Sequence, residues 1–425
     1  MQIHVVQKGD TLYKLAQKFD VTVNDLVNAN GLSDANTLVI GQSLIIPAGA
    51  TTHKVLVGDT LWLLARRYGV TLQELAAMNN ISNPALIYPG QQLVIPQAAK
   101  PSIEVNAYTE KFGAAGIAIV EEIGPYLTYL SPFSYRLQAD GSITPLDDSA
   151  IINAAYQTRT APMMVITNFE NGTFSPDIAH AILSNPTLQQ SVIASILATM
   201  KQKGYTALNV DFEYVPPADR ELYNAFLQKL VDNLHPQNYL VSACLAPKTS
   251  ANQTGTLYEA HDYAAMGRIL DFVVLMTYEW GWSGGPPRAV APLNEVNKVL
   301  IYALSVIPSQ KIVMGMPLYG YDWTLPYVQG AKWAPTVSPQ AAVNRAHQFG
   351  ATIQYDEEGQ SPFFQYYDKE GREHVVWYED ARSVQAKFNL VKAYNLRGVS
   401  YWVLGVPFPQ NWYVLQANFT IKKLV

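Results

Sequence analysis

The 425-residue sequence predicts an α/β protein: a (β/α)8 TIM barrel with a small α+β insertion after its seventh strand, preceded by two small βααβ modules. Three observations carry that prediction. Residues 4–47 and 53–96 align with each other at an offset of 49, so the chain begins with an internal repeat. From residue 101 onward, eight apolar strand-like runs alternate with helical stretches, the pattern of a parallel sheet covered by helices. A segment rich in Tyr, Phe and Trp, from about Asp322 to Trp377, interrupts the alternation between the seventh and eighth runs. The expected domains are therefore 1–48, 52–97 and 101–425.

In the repeat, "HVVQKGDTLYKLAQKFDVTVNDLVNANGL" matches "HKVLVGDTLWLLARRYGVTLQELAAMNNI", and "SLIIP" matches "QLVIP". Each copy reads strand, helix, helix, strand. Asp10 or Asp59 is expected to cap the first helix, where Leu12, Leu15, Ala16 and Phe19 form an apolar stripe. Thr22 or Thr71 is expected to cap the second helix, and proline ends each closing strand. "PAGATTHK" and "PQAAKPS" read as short, proline-containing linkers.

This repeat resembles the LysM module, which binds glycans containing N-acetylglucosamine such as peptidoglycan and chitin. The resemblance implies a sugar site between the loop after the first strand and the loop before the second. Those loops contain Gly9, Asp10 and Thr11 with Leu38 and Ile40 in one copy, and Gly58, Asp59 and Thr60 with Ile87 and Tyr88 in the other. The same Gly, Asp and Thr also suit a turn and a helix cap. Two such sites on one tether are expected to raise avidity for a polymer by roughly two orders of magnitude or more.

The eight strand-like runs of the barrel are "IEVNAY", "LTYLSPFSY", "PMMVITN", "ALNVDFE", "YLVSACLAP", "DFVVLMTY", "KIVMGMPLYG" and "GVSYWVLG". Helices are expected over 191–204, 220–234, 294–307 and 380–395, among others. Chemistry in such barrels sits at the C-terminal strand ends. Asn168 ends the third run, Asp211 and Glu213 the fourth, Tyr278 and Glu279 the sixth, Tyr319 and Tyr321 the seventh. In the fourth, alternation turns Asn209, Asp211 and Glu213 to one side, with Asn209 deepest and Glu213 at the mouth. Two carboxylates so close in a dry site cannot both ionise easily, so one pKa rises, as a general acid requires.

The fourth run, "TALNVDFE", resembles the signature of family 18 glycoside hydrolases, aspartate–x–x–aspartate–x–aspartate–x–glutamate. Asp211 and Glu213 match its last two positions, while Asn209 and Thr206 replace the two earlier aspartates. The resemblance implies retention of configuration assisted by the substrate, an exception to the two-carboxylate scheme. Glu213 is expected as acid and base, Asp211 as partner of the acetamido N–H, and Asn209 as a tuning group. "LMTYEW" resembles the family's methionine–x–tyrosine–aspartate run with Glu279 in the aspartate's place, which implies that Tyr278 aligns the acetamido oxygen. Trp402 is the implied floor under the reacting sugar, and Tyr319 and Tyr321 the implied walls. Glu279, Asn168 and Trp280 complete the expected substrate contacts. For Trp280, Trp282 and Trp323, stacking on sugar and simple packing stand equal.

Composition narrows the partners. A net charge of −5 points neither to nucleic acid nor to an anionic membrane. No run approaches the roughly 18 apolar residues of a membrane span. The seven histidines show no ligand spacing, so no metal and no cofactor is expected. The one cysteine, Cys244, excludes an intramolecular disulfide and reads as a buried small hydrophobe. The pairing of tandem LysM with family 18 resembles bacterial spore cortex-lytic N-acetylglucosaminidases. The N-terminus has no basic segment followed by an apolar block, which agrees with a spore location (coat or cortex) reached without a Sec signal, against a cell-wall or extracellular one. The alternatives are a chitinase or chito-oligosaccharide hydrolase and, further off, a chitin-binding lectin, against which the presence of Glu213 argues. A monomer is expected.

Overall fold

The computed structural model describes residues 1–32, 37–47, 52–68, 70–96 and 100–425. The two linkers and the boundaries drawn at residues 48 and 97 lie partly or wholly outside those residues.

Both repeats fold as βααβ. The first pairs Gln2–Val5 antiparallel with Ser43–Ile46 around helices Leu12–Phe19 and Val23–Asn30. The second pairs Thr52–Lys54 with Gln92–Val94 around Leu61–Tyr68 and Leu72–Met78. Thr22 and Thr71 cap the second helices through capping boxes closed by Asp25 and Glu74, each worth about 1 kcal/mol. The shared Asn30/Asn79 has a structural reason. Its amide donates to a helix carbonyl and exchanges hydrogen bonds with Ile45 or Val94 of the closing strand, all at 2.7–2.8 Å.

The first-helix cap differs from expectation. Thr11, not Asp10, is the N-cap and accepts from Lys14 N–H at 3.2 Å; Thr60 does the same for Leu63. Asp10 instead closes the preceding turn, accepting from Gln7 N–H at 2.8 Å and lying 2.8 Å from His4 Nε2. Asp59 repeats this with Leu56 and His53. Adjacent Asp and Thr are both good caps, and the histidine on the first strand decides between them by engaging the carboxylate.

The barrel strands are β1 (Ser102–Thr109), β2 (Tyr129–Pro132), β3 (Ala161–Thr167), β4 (Ala207–Asp211), β5 (Leu240–Leu245), β6 (Phe272–Leu275), β7 (Ile312–Pro317) and β8 (Gly398–Trp402). All neighbouring pairs are parallel, and the pairings of β8 with β1 and of β3 with β4 close the ring. The expected helices appear at Pro186–Lys203, Arg220–Leu234, Leu293–Val306 and Ala381–Ala393. Side-chain alternation divides the core in two. Val210, Phe212 and their like pack outward under the helices, with Phe212 stacked on Tyr223 at 5.7 Å. Met163, Val165, Ala207, Cys244, Phe272 and Val274 fill the interior.

After β7 the chain forms a five-stranded antiparallel sheet, ordered Thr336–Val337, Gly320–Thr324, Glu373–Trp377, Ser361–Tyr367, Gln354–Asp356, with the helix Pro339–Gln348 against it. Its polar centre is Asp322, buried and bound to Arg345, His374 and Tyr366. This is the expected α+β insertion, beginning at Gly320.

Candidate active site

The fourth strand sets a gradient of burial. Asn209 is fully buried, Asp211 is buried, and Glu213, just past the strand end, is half-buried at the mouth. Its backbone is held from two sides. Asn168, at the end of β3, donates to the Glu213 carbonyl at 2.8 Å and accepts from its N–H at 3.1 Å. His261 lies 3.0 Å from the Phe212 carbonyl through Nε2, while its Nδ1 accepts from Ala246 N–H at 2.8 Å. An accepting Nδ1 leaves Nε2 as the donor, so the ring is neutral. Burial pushes its pKa down to about 4, which keeps it so.

Beneath the carboxylates lies a polar floor. The Asn209 carbonyl oxygen accepts from Tyr108 O–H at 2.9 Å and from Cys244 S–H at 3.2 Å. Its amide donates to Ser242 Oγ at 3.0 Å. Asn209 thus carries no charge where a third carboxylate would repel Asp211. Asp211 Oδ1 is buried and has no protein hydrogen-bond partner, an acceptor oriented for a donor that the protein does not supply.

Burial makes ionisation costly at both carboxyls, and a charge on Asp211 holds the proton on Glu213. Burial raises the pKa of Asp211. Burial, then the Asp211 charge, then the Glu279 charge raise that of Glu213 well above the ordinary carboxylate range. Two interacting acids share their titration, so the pair is the titrating unit. Burial also raises the Tyr278 pKa well above that of a free phenol, so its hydroxyl stays protonated.

Glu213, Tyr278, Glu279 and Trp280 line one cleft of about 410 Å³, together with Pro247, Thr249, Ser250, Gln253, Leu257, Tyr258 and Met276. Gly315 on β7 makes room for Tyr278: a Cβ there would meet Tyr278 Cε1 at 2.9 Å. Glu279 adopts φ +66°, in the left-handed region. Its carboxylate accepts from the hydroxyls of Tyr319 and Tyr321, the latter at 2.9 Å. Trp402 is partly exposed, 4.8 Å from Phe133 and 5.7 Å from Tyr108 between ring centres.

Several expected contacts lie elsewhere. Asn168 is fully buried and its amide is taken by the backbones of Glu213 and Ser175, so it holds the acid instead of facing a ligand. Tyr319 and Tyr321 are buried and bind Glu279, forming its support and not an open wall. Trp323 is buried and donates to Gly285 O at 2.9 Å, a packing role. Trp282 is exposed and stands edge-on to Trp333. Tyr108 and His261 carry no signal of these roles in the sequence. Tyr108 meets Asn209 and Cys244, and His261 meets the Phe212 carbonyl, far along the chain, and only the closed barrel brings them together.

Comparison with known proteins places these features. The family model "Glycosyl hydrolases family 18" matches residues 163–406, and the LysM domain model matches 4–47 and 53–96. The chain is 52% identical to a Bacillus subtilis (strain 168) cortical fragment-lytic enzyme over 427 aligned positions, covering 100% of this chain and 99% of that one. It superposes on the Bacillus megaterium spore cortex-lytic enzyme SleL with a TM-score of 0.89 at 44% identity, covering 100% and 99%. A chitinase from Chromobacterium violaceum gives 0.69 at 26% identity, covering 74% and 98%.

Proposed function

Because this chain belongs to family 18 of the glycosyl hydrolases and carries two LysM domains, we propose that it is a cortical fragment-lytic N-acetylglucosaminidase acting on spore peptidoglycan. The observation that carries this reading is the end-to-end likeness to a cortical fragment-lytic enzyme, joined to a buried Asp211 beneath a half-buried Glu213 that lines a cleft. The 26% likeness to a chitinase spans only part of the chain and favours the runner-up substrate less.

In the proposed mechanism, protonated Glu213 donates to the glycosidic oxygen as the bond to the leaving sugar breaks. The substrate's 2-acetamido carbonyl oxygen forms the bond to the anomeric carbon, giving an oxazolinium ion. Asp211 Oδ1, which lacks a protein partner, accepts from the acetamido N–H and offsets the developing positive charge. Tyr278 O–H donates to the acetamido oxygen and aligns it, and Trp402 supports the sugar face. Glu213, now ionised, takes a proton from water as the water oxygen bonds to the anomeric carbon and the bond from that carbon to the acetamido oxygen breaks, which returns the neutral acetamido group. That step restores the acid and retains configuration.

On this reading the domains are 1–48, 52–97 and 101–425, the LysM part engages peptidoglycan, and the enzyme acts at the spore cortex as a monomer. The test is digestion of spore cortex fragments and chitin oligomers, followed by borohydride reduction and mass spectrometry of the new ends. Reduced N-acetylglucosamine ends from cortex, absent with Glu213→Gln, are expected. Cleavage of chitin oligomers alone would transfer the protein to the chitinases.

A further inference from the structure

The two LysM repeats share one sequence pattern, yet their corresponding loops have different surroundings. In the first, the loop before the closing strand lies against the inserted sheet of the catalytic domain. Val39 is buried in a cluster with Val337, Ala342, Ala346 and Ile353. The Ile40 carbonyl accepts from Ile353 N–H at 2.9 Å. At Gly41, φ +86°, a Cβ would lie 1.8 Å from the Ile353 carbonyl oxygen, so the backbones meet directly. Arg382 donates to the Gly41 carbonyl at 3.2 Å, and Gln410 bridges Asn30 Oδ1 at 2.8 Å and the Ser43 carbonyl at 2.9 Å. Ala29 and Ile45 join the barrel's outer apolar layer.

The second module inverts this. Tyr88, at the position of Val39, is 63% exposed. Among the described residues, the hydrogen bonds and ion pair of this module all stay within it. The opposite loop differs as well. Gln7 and Lys8 in the first module become Leu56 and Val57 in the second, 61% and 88% exposed. Apolar side chains therefore stand exposed on both loops of the second module, whereas in the first module one loop is polar and the other buries Val39 against the insertion, leaving Ile40 as its exposed apolar side chain. Exposed apolar groups grouped on facing loops mark a contact surface.

We propose that the two modules have divided their roles: the second grips the glycan, while the first is a fixed part of the catalytic unit, its second loop committed to the inserted sheet. This rests on the reading of the LysM part as a binder of N-acetylglucosamine-containing glycan. The enzyme then engages its polymer through one module and one cleft. To present Val39 to a sugar as the second module presents Tyr88, the first module's loop would have to give up its bond to Ile353. The avidity expected from two equivalent sites does not arise.

The test uses the full chain carrying Glu213→Gln, so that the matrix is not digested, and measures retention on insoluble peptidoglycan by sedimentation. Val57→Glu with Tyr88→Ala should weaken retention at least about tenfold, the loss of one dominant weak site. Lys8→Glu with Ile40→Ala should change it less than about twofold. Circular dichroism on each variant separates lost binding from lost folding. Separately, Val39→Asp should lower the thermal midpoint of the catalytic domain, since it places a charge in the cluster shared with the insertion. Equal losses from both pairs, or a larger loss from the first module, would overturn the division of roles. Loss from neither pair would remove the glycan-binding reading of the modules and this inference with it.

Discussion

The side-chain amide of Asn168 brackets the backbone of Glu213, donating to its carbonyl at 2.8 Å and accepting from its N–H at 3.1 Å. One fully buried residue at the end of β3 thereby sets where the acid on the neighbouring strand projects. Asn168→Ala would leave both peptide groups without these partners, costing about 2–4 kcal/mol of stability. A shifted acid should lower kcat by roughly 10- to 100-fold with a smaller change in KM. Steady-state kinetics on a soluble N-acetylglucosaminide, with thermal melts alongside, measure both effects.

The Glu279 charge helps to hold the Glu213 proton. Replacing it by Gln removes that charge and lowers the Glu213 pKa. The basic limb of the kcat/KM profile, which follows loss of the Glu213 proton, should therefore move to lower pH. A pH–rate series on wild type and Glu279→Gln checks the direction; a limb that moves upward or stays in place contradicts it.

Glu213 also links stability to pH. Its pKa in the fold is raised above the unfolded value of about 4.3. The folded state thus holds the proton more tightly, and this contribution is complete below about pH 4 and lost as pH rises through the raised value. Gln cannot ionise. Glu213→Gln should melt at a higher temperature than wild type near about pH 8, and the difference should shrink toward about pH 4.

Gly315→Ala tests the packing behind Tyr278. The new methyl would meet the Leu275 carbonyl oxygen at 2.4 Å and Tyr278 Cε1 at 2.9 Å, so the ring or the strand must shift. An activity loss of about tenfold or more is expected, with stability lowered by about 1–3 kcal/mol. Kinetics and denaturant unfolding of the same preparation separate the two.

Much of this was legible in the sequence, for reasons that differ by residue. The barrel strands announce themselves because parallel strands buried on both faces read as continuous apolar runs. Alternation along "LNVDFE" suffices to order Asn209, Asp211 and Glu213 by depth. What stayed hidden depends on distant partners. Asn168 reads as a cleft residue at a strand end, but its side chain is taken by the backbones of Glu213, just past β4, and of Ser175. Tyr319 and Tyr321 read as walls, but the left-handed backbone at Glu279 accompanies a carboxylate bound to both hydroxyls. Tyr108 and Cys244 meet Asn209 only through ring closure. The unequal LysM modules are the sharpest case, since Val39 and Tyr88 occupy one alignment position and differ through what packs on them.

The central claim is that Glu213 and Asp211 direct an attack by the substrate's own acetamido group. The most direct measurement is proton NMR of the hydrolysis of a soluble N-acetylglucosaminide, following the anomeric signal of the first product formed. The account predicts the β-anomer first, with the α-anomer appearing only through mutarotation, and no turnover of the analogue that has a hydroxyl in place of the acetamido group. An α-anomer formed first, or comparable turnover of that analogue, would contradict it.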